Sequence, residues 1–168
     1  MKILVTFIIS MVLLISIFLM SLYWQRTPYS PENALEIFYS YNGAEDELMD
    51  PLLLAGRKVI PLLIEQIKHQ NMPKRRYAIL AVGHLGDSSS LPILEKILTD
   101  SSENNYFRCD ALLAIAMINS KRGYSLAKRY SKETEEKMTC LSKTSQEILT
   151  RIPLEKRTYW EALLGRHQ

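Results

Sequence analysis

Between Arg75 and Ile118 the sequence repeats itself at a fixed distance. Arg75 and Arg108, Ala78 and Ala111, Ala81 and Ala114, and Leu85 and Ile118 are each separated by 33 positions. A constant offset of that size marks a chain built from one helix pair per unit. Each matched stretch is also followed by a turn, at Gly86 in the first and at Asn119-Ser120 in the second. Units of this kind stack to bury their apolar faces, so the register implies an all-α fold, a short α-solenoid.

The punctuation around the repeat supports that reading. Ser30 offers an N-cap, Pro31 a first helical residue and Glu32 an acid in the first turn, followed by the stripe Leu35, Phe38, Tyr39 and an end at Asn42-Gly43. Asp50-Pro51 opens a short helix over Leu52 to Ala55, stopped by Gly56, and Arg57 to Gln70 carries one stripe of Val59, Ile60, Leu63, Ile64 and Ile67. After the break at Asn71-Met72-Pro73, the first complete unit is a helix from Lys74 to Leu85 and a second from Leu91 to Thr99, capped by Asp87 and Ser88 to Ser90. Asp100 and Glu103 have the spacing of a capping box for the next helix, which bears Phe107, Leu112, Ile115 and Ile118, and whose partner contains Tyr124, Leu126, Ala127 and Tyr130. Lys132 to Ile152 places Met138, Leu141, Ile148, Leu149 and Ile152 on one face, and Pro153 starts a last helix with Tyr159, Trp160, Leu163 and Leu164. The expected organisation is 27–49 as linker and N-terminal capping helix, 50–131 as about three helix pairs, and 132–168 as C-terminal capping helices.

In front of this lies a different kind of segment. Residues 3–24 contain no charged side chain, and as a helix they would be about 33 Å long, enough to cross a bilayer core of about 30 Å. The run ends in Phe18, Leu19, Met20, Ser21, Leu22, Tyr23 and Trp24 without the small-residue pair that signal peptidase needs, so residues 1–26 are expected to remain as a single-pass transmembrane anchor, with a cleaved signal peptide as the alternative. Tyr23 and Trp24 suit the interfacial belt. Lys2 and the amino terminus against Arg26 favour a cytoplasmic tail, which puts residues 27–168 on the outer side of the inner (cytoplasmic) membrane, in a periplasm or its equivalent.

Without Lys2 and Arg26 the 21 basic residues fall to 19 against 18 acidic ones, a net of +1. A domain with that balance has no global field for nucleic acid, which is not an expected partner. Cys109 and Cys140 are too few for a disulfide scaffold. A buried free thiol is the expected state of Cys109 in its apolar helix, with pairing to Cys140 open if the domain is exported.

The stretch RRYAILAVGHLGDSSSLPILEKILTD and the later FRCDALLAIAMI resemble HEAT repeats, particularly the short bacterial kind also found in phycobilisome lyases. Arg75 three residues before Ala78, Leu85-Gly86 at the end of the first helix, Leu91-Pro92 opening the second and Leu98-Thr99-Asp100 closing it carry the pattern, and Arg108 with Ala111 begins it again. Ile60-Pro61-Leu62-Leu63 matches the second helix of the preceding unit, whose first helix departs from the pattern at Pro51; Ile118-Asn119 replaces Leu-Gly in the last unit. The resemblance spans about Asp50 to Tyr130 and implies a binding scaffold that uses the surface of its stacked second helices.

No catalytic constellation emerges from the residues. There is no Cys-x-x-Cys, His-Glu-x-x-His or glycine-rich phosphate loop, so neither metal nor cofactor is expected. Of His69, His84 and His167, His84 sits at a helix end where a cation suits the dipole. Candidate partner-binding residues lie on the second helices: Leu91, Glu95, Thr99, Tyr124, Lys128 and Tyr130. Lys74, Arg75, Arg76, Lys121 and Arg122 form a candidate basic ridge, weighed against a structural role for Arg75 and Arg108 at the turns. The expected function is a non-enzymatic, membrane-anchored adaptor that binds another protein in an envelope complex. The alternatives are a cytoplasm-facing binder of nucleic acid or anionic lipid through the ridge and, from the resemblance alone, a lyase-like or chaperone-like enzyme.

Overall fold

A computed structural model describes residues 10–18, 29–132 and 139–150, and among these residues every regular element is helical. Residues 10–18 form α1, whose large side chains, such as Leu14 and Phe18, are exposed. No helix among the described residues is long and apolar enough to cross a membrane. The remainder of the expected anchor, residues 3–9 and 19–24, lies outside the described residues, as do Met138, Ile152 and the helix expected after Pro153.

The stack begins with α2 (Pro31–Ser40), whose N-terminus is capped by the Ser30 hydroxyl accepting from the Asn33 N–H at 3.2 Å. It packs on α3 (Asp50–Ala55). Gly56 then turns the chain with φ 66°, a conformation open to glycine. The long helix expected over Arg57 to Gln70 is shorter than its apolar stripe suggests. Gly56–Val59 is a 3-10 turn and only α4 (Ile60–Ile67) is regular, because Pro61 sets its first turn.

The two complete units follow as α5 (Arg75–Leu85) with α6 (Leu91–Thr99), and α7 (Asn105–Ile118) with α8 (Ser120–Tyr130), closed by α9 (Thr139–Thr150). Gly86 ends α5 at φ 68°. Asn119, by contrast, ends α7 in an extended conformation while its side chain accepts from the Arg122 N–H at 3.0 Å, so one residue closes α7 and caps α8 without a left-handed turn. The capping box expected from Asp100 and Glu103 does not form. Asp100 instead closes a tight turn onto the Ser102 N–H, and Asn104 caps α7 through the Tyr106 N–H, because Glu103 is held by a buried guanidinium.

Helix α7 is the centre of the stack, packed against α5, α6, α8 and α9. Its residues Ala111, Leu112, Ala114 and Ile115 are fully buried. The close approach depends on small residues. A Cβ on Gly83 would stand 2.8 Å from the Ala114 Cα, and one on Gly123 would stand 2.3 Å from the Ala116 Cα. The repeat preserves this property, since Gly83 and Ala116, and Ser90 and Gly123, are again separated by 33 positions. Gly123→Ala is therefore expected to push α8 off α7 and cost about 1–3 kcal/mol of stability, checked by urea denaturation against wild type. An unchanged midpoint would mean that α8 is free to shift outward.

Cys109 and Cys140 form a disulfide between α7 and α9, with a Cα–Cα distance of 6.1 Å. This corrects the expectation of a free buried thiol at Cys109. The apolar helix does bury Cys109, but α9 folds back over the same face and brings Cys140 onto it.

Candidate protein-interaction surface

Four basic residues, Arg57, Lys74, Arg75 and Arg108, are used internally, to close helix ends. The last carbonyls of a helix have no intrahelical donor and carry the negative end of its dipole. Lys74 Nζ donates to the carbonyls of Phe38 and Tyr39 at 2.8 and 3.0 Å, at the end of α2. Arg75 Nε donates to the Ile67 carbonyl at 2.8 Å, ending α4, and Arg108 Nε to the Leu98 carbonyl at 2.9 Å, in the last turn of α6. Arg57 Nε does the same for α5 at the Leu85 carbonyl, 3.2 Å away. The arginine that recurs every 33 positions thus clasps the second helix of the preceding unit to the first helix of its own.

Arg75 goes further. Its Nη1 lies 2.7 Å from Glu103 Oε2, with side chains only 2% and 6% exposed, and its guanidinium stands over the Phe107 ring. The residues of the candidate ridge consequently do not lie together on one surface. Arg75 is buried and Lys74 is turned onto α2, while Arg76 is half-exposed and pairs with Asp110 at 3.0 Å. Only Lys121 and Arg122 of the five lie on α8, both exposed, and Arg122 Nε is 2.7 Å from Glu95 Oε1.

That last contact ties the two second helices together. Glu95 on α6 and Arg122 on α8 bridge the adjacent units, Thr99 is exposed, and Leu91 and Tyr124 are half-buried. Lys128 is exposed with its Nζ 4.7 Å from the centre of the Tyr124 ring. Five of the six candidate contact residues therefore present at least part of their side chain. Tyr130 does not, being 4% exposed and part of the core beneath α8.

Asp110 was not legible from the sequence as an unusual group. Burial pushes its carboxyl up to about 6, against the lowering effect of Arg76. The folded chain therefore holds this proton more tightly than the unfolded chain, whose carboxyl stays near the ordinary value of 3.8. The stability this confers is present below about pH 4 and is lost as the pH rises through about 6. Asp110→Asn is expected to leave stability unchanged near pH 4 and to raise it by on the order of 1 kcal/mol at about pH 7.5, measured by thermal denaturation at the two values. A loss at the higher pH would mean that the pair with Arg76 outweighs the burial.

Among the described residues no group of three or more His, Cys, Asp or Glu side chains is placed to hold a metal ion. The surface that remains is a face of adjacent second helices, α6 and α8, set on a repeat with a fixed internal clasp. Residues 60–138 match the HEAT repeats family. No curated protein and no solved structure matches the chain. The HEAT-like match begins at the first residue of α4 and excludes α3, in keeping with the irregular start of that unit, where Gly56 ends a helix of only six residues. HEAT repeats generally mediate contacts between proteins.

Proposed function

We propose that this chain is a non-catalytic adaptor, held at a membrane by residues 3–24, whose HEAT-like stack binds another protein through the joined outer faces of α6 and α8. The observation that carries the reading is the repeat itself. First helices α5 and α7 are consumed by the core, with Ala78, Ala81, Ala111 and Ala114 all buried, which leaves the second helices to face outward. Two further features support the membrane-side assignment: the apolar run that includes the exposed α1, and the disulfide, a bond that persists in oxidising compartments such as a periplasm.

The test places a photo-crosslinking residue at Thr99 or Ser125, both exposed on the proposed face, and at exposed Lys58 in the turn before α4 as a control, in cells expressing the full chain. A discrete adduct with a different protein from the first two positions alone is the expected result. Adducts of equal pattern from all three would remove the assignment. Protease added to cells with only the outer barrier opened is expected to digest the stack; digestion only after lysis would turn it toward the cytoplasm and reject the envelope placement.

A further inference from the structure

Charge is separated along the stack. Residues 27–56 contain six acids, from Glu32 to Asp50, and no lysine or arginine, a net of −6. Residues 111–132 contain Lys121, Arg122, Lys128, Arg129 and Lys132 and no aspartate or glutamate, a net of +5. The acidic set belongs to α2, α3 and their connector, which pack together at the start of the stack. The basic set belongs to α8 and the residues after it, packed on α7 and α9 toward the other end.

Among the described residues little of this charge is cancelled, while Glu133, Glu135 and Glu136 follow Lys132 in the sequence. Glu32, Glu36, Glu45 and Glu47 are exposed; Glu45 and Glu47 accept hydrogen bonds from the hydroxyls of Tyr77 and Tyr41, which are neutral donors. All five basic residues are exposed, and among the described residues only Arg122 has a carboxylate partner, Glu95.

We propose that copies of this chain associate head to tail, the basic face of α8 in one copy docking on the acidic end formed by α2 and the α2–α3 connector in the next. The two surfaces differ, so the contact is heterologous and leaves a free acidic end and a free basic face on every pair, which extends into a chain of copies. Like ends repel, which fixes the direction of assembly. A net charge of only +1 on residues 27–168 removes any general repulsion between copies. A negatively charged lipid surface or nucleic acid would meet the α8 face equally well, but it would be repelled by the acidic end, whereas a second copy uses both.

The full chain in detergent micelles, carrying either of two affinity tags, tests this. Wild-type molecules are expected to co-purify at about 0.05 M salt and to separate at about 0.5 M, and chemical crosslinking is expected to give a ladder that continues past the dimer. The α8 reversal (Lys121→Glu, Lys128→Glu, Arg129→Glu) and the acidic-end reversal (Glu36→Lys, Glu45→Lys, Glu47→Lys) are each expected to lose self-association by about tenfold or more. Mixing the two reversed proteins should restore it, a result that also shows both to be folded. Self-association of either variant at the wild-type level would overturn the proposal, since the contact would then run through residues 3–24 or another apolar surface. So would wild-type protein that stays single at low salt, including the case where it instead binds phosphatidylglycerol vesicles through α8, or a mixture no better than its parts.

Discussion

Arg75→Ala is expected to lower the unfolding free energy by about 3–5 kcal/mol, the range typical when one partner of a buried ion pair is removed. The guanidinium makes three separate contributions: a hydrogen bond to the Ile67 carbonyl at the end of α4, an ion pair with Glu103, and a stack on Phe107. Truncation leaves the Glu103 carboxylate buried without its cation, and that uncompensated charge is the largest part of the loss. The chain is expected to respond by opening the turn between α6 and α7. Arg75→Lys should recover only part of the loss, since an ammonium lacks the planar fork that reaches a carbonyl and a carboxylate together. Denaturant melts at neutral pH measure both variants. The double change Arg75→Met with Glu103→Leu is the decisive comparison. It should restore most of the stability if the buried charge dominates, and a double variant as unstable as Arg75→Ala would place the energy in the carbonyl clasp instead.

The same arginine shows how far the sequence could be read. Its recurrence at Arg108 marked the repeat, and the weighing of a structural role at the turns against a basic ridge was visible from spacing alone. Which role applied was not, because a helix C-terminal carbonyl carries no sequence signature and its cation comes from another helix. Lys74 reaches α2 across 36 positions and Arg57 reaches α5 across 28, distances at which no local pattern operates. Local signals fared well where the chemistry is local. Ser30, Gly56, Gly86 and Asn119 end or cap helices where a cap or a turn was expected, since each contact lies within a few residues. Glu103 is the counterexample: it has the spacing of a capping box, but a guanidinium 28 positions away competes for the same carboxylate and wins. The outer surface followed the same division. Helical periodicity placed Thr99 on α6 and Lys128 on α8 outside, whereas Tyr130, the last residue of α8, is buried in the core of a helix that packs on α9.

Removing the disulfide is expected to cost about 3–4 kcal/mol, the loop-closure value for a separation of 31 residues. The cost should fall on one element. Helix α9 is held to the rest by its packing on α7 and α8, through fully buried Leu141 and nearly buried Ile148, and by Cys140. Two large apolar anchors contribute on the order of 2–3 kcal/mol each when fully buried, so the bond is comparable to the packing it supplements. Its loss should therefore let α9 open before the core of the stack does. Cys109→Ala with Cys140→Ala, compared with wild type in the presence and absence of dithiothreitol, measures this by hydrogen exchange. Amides of α9 should lose protection while those of α5 and α7 keep theirs, and reduced wild type should behave like the double variant. Loss of protection throughout the molecule would instead make α9 part of one cooperative core. Either result bears on where the stack works. Helix α9 covers the end of the last repeat, as a terminal element of a solenoid must, so a chain kept reduced would leave α7 and α8 intermittently uncovered. A last unit held closed by this bond requires an oxidising compartment, the side of the membrane proposed for the chain.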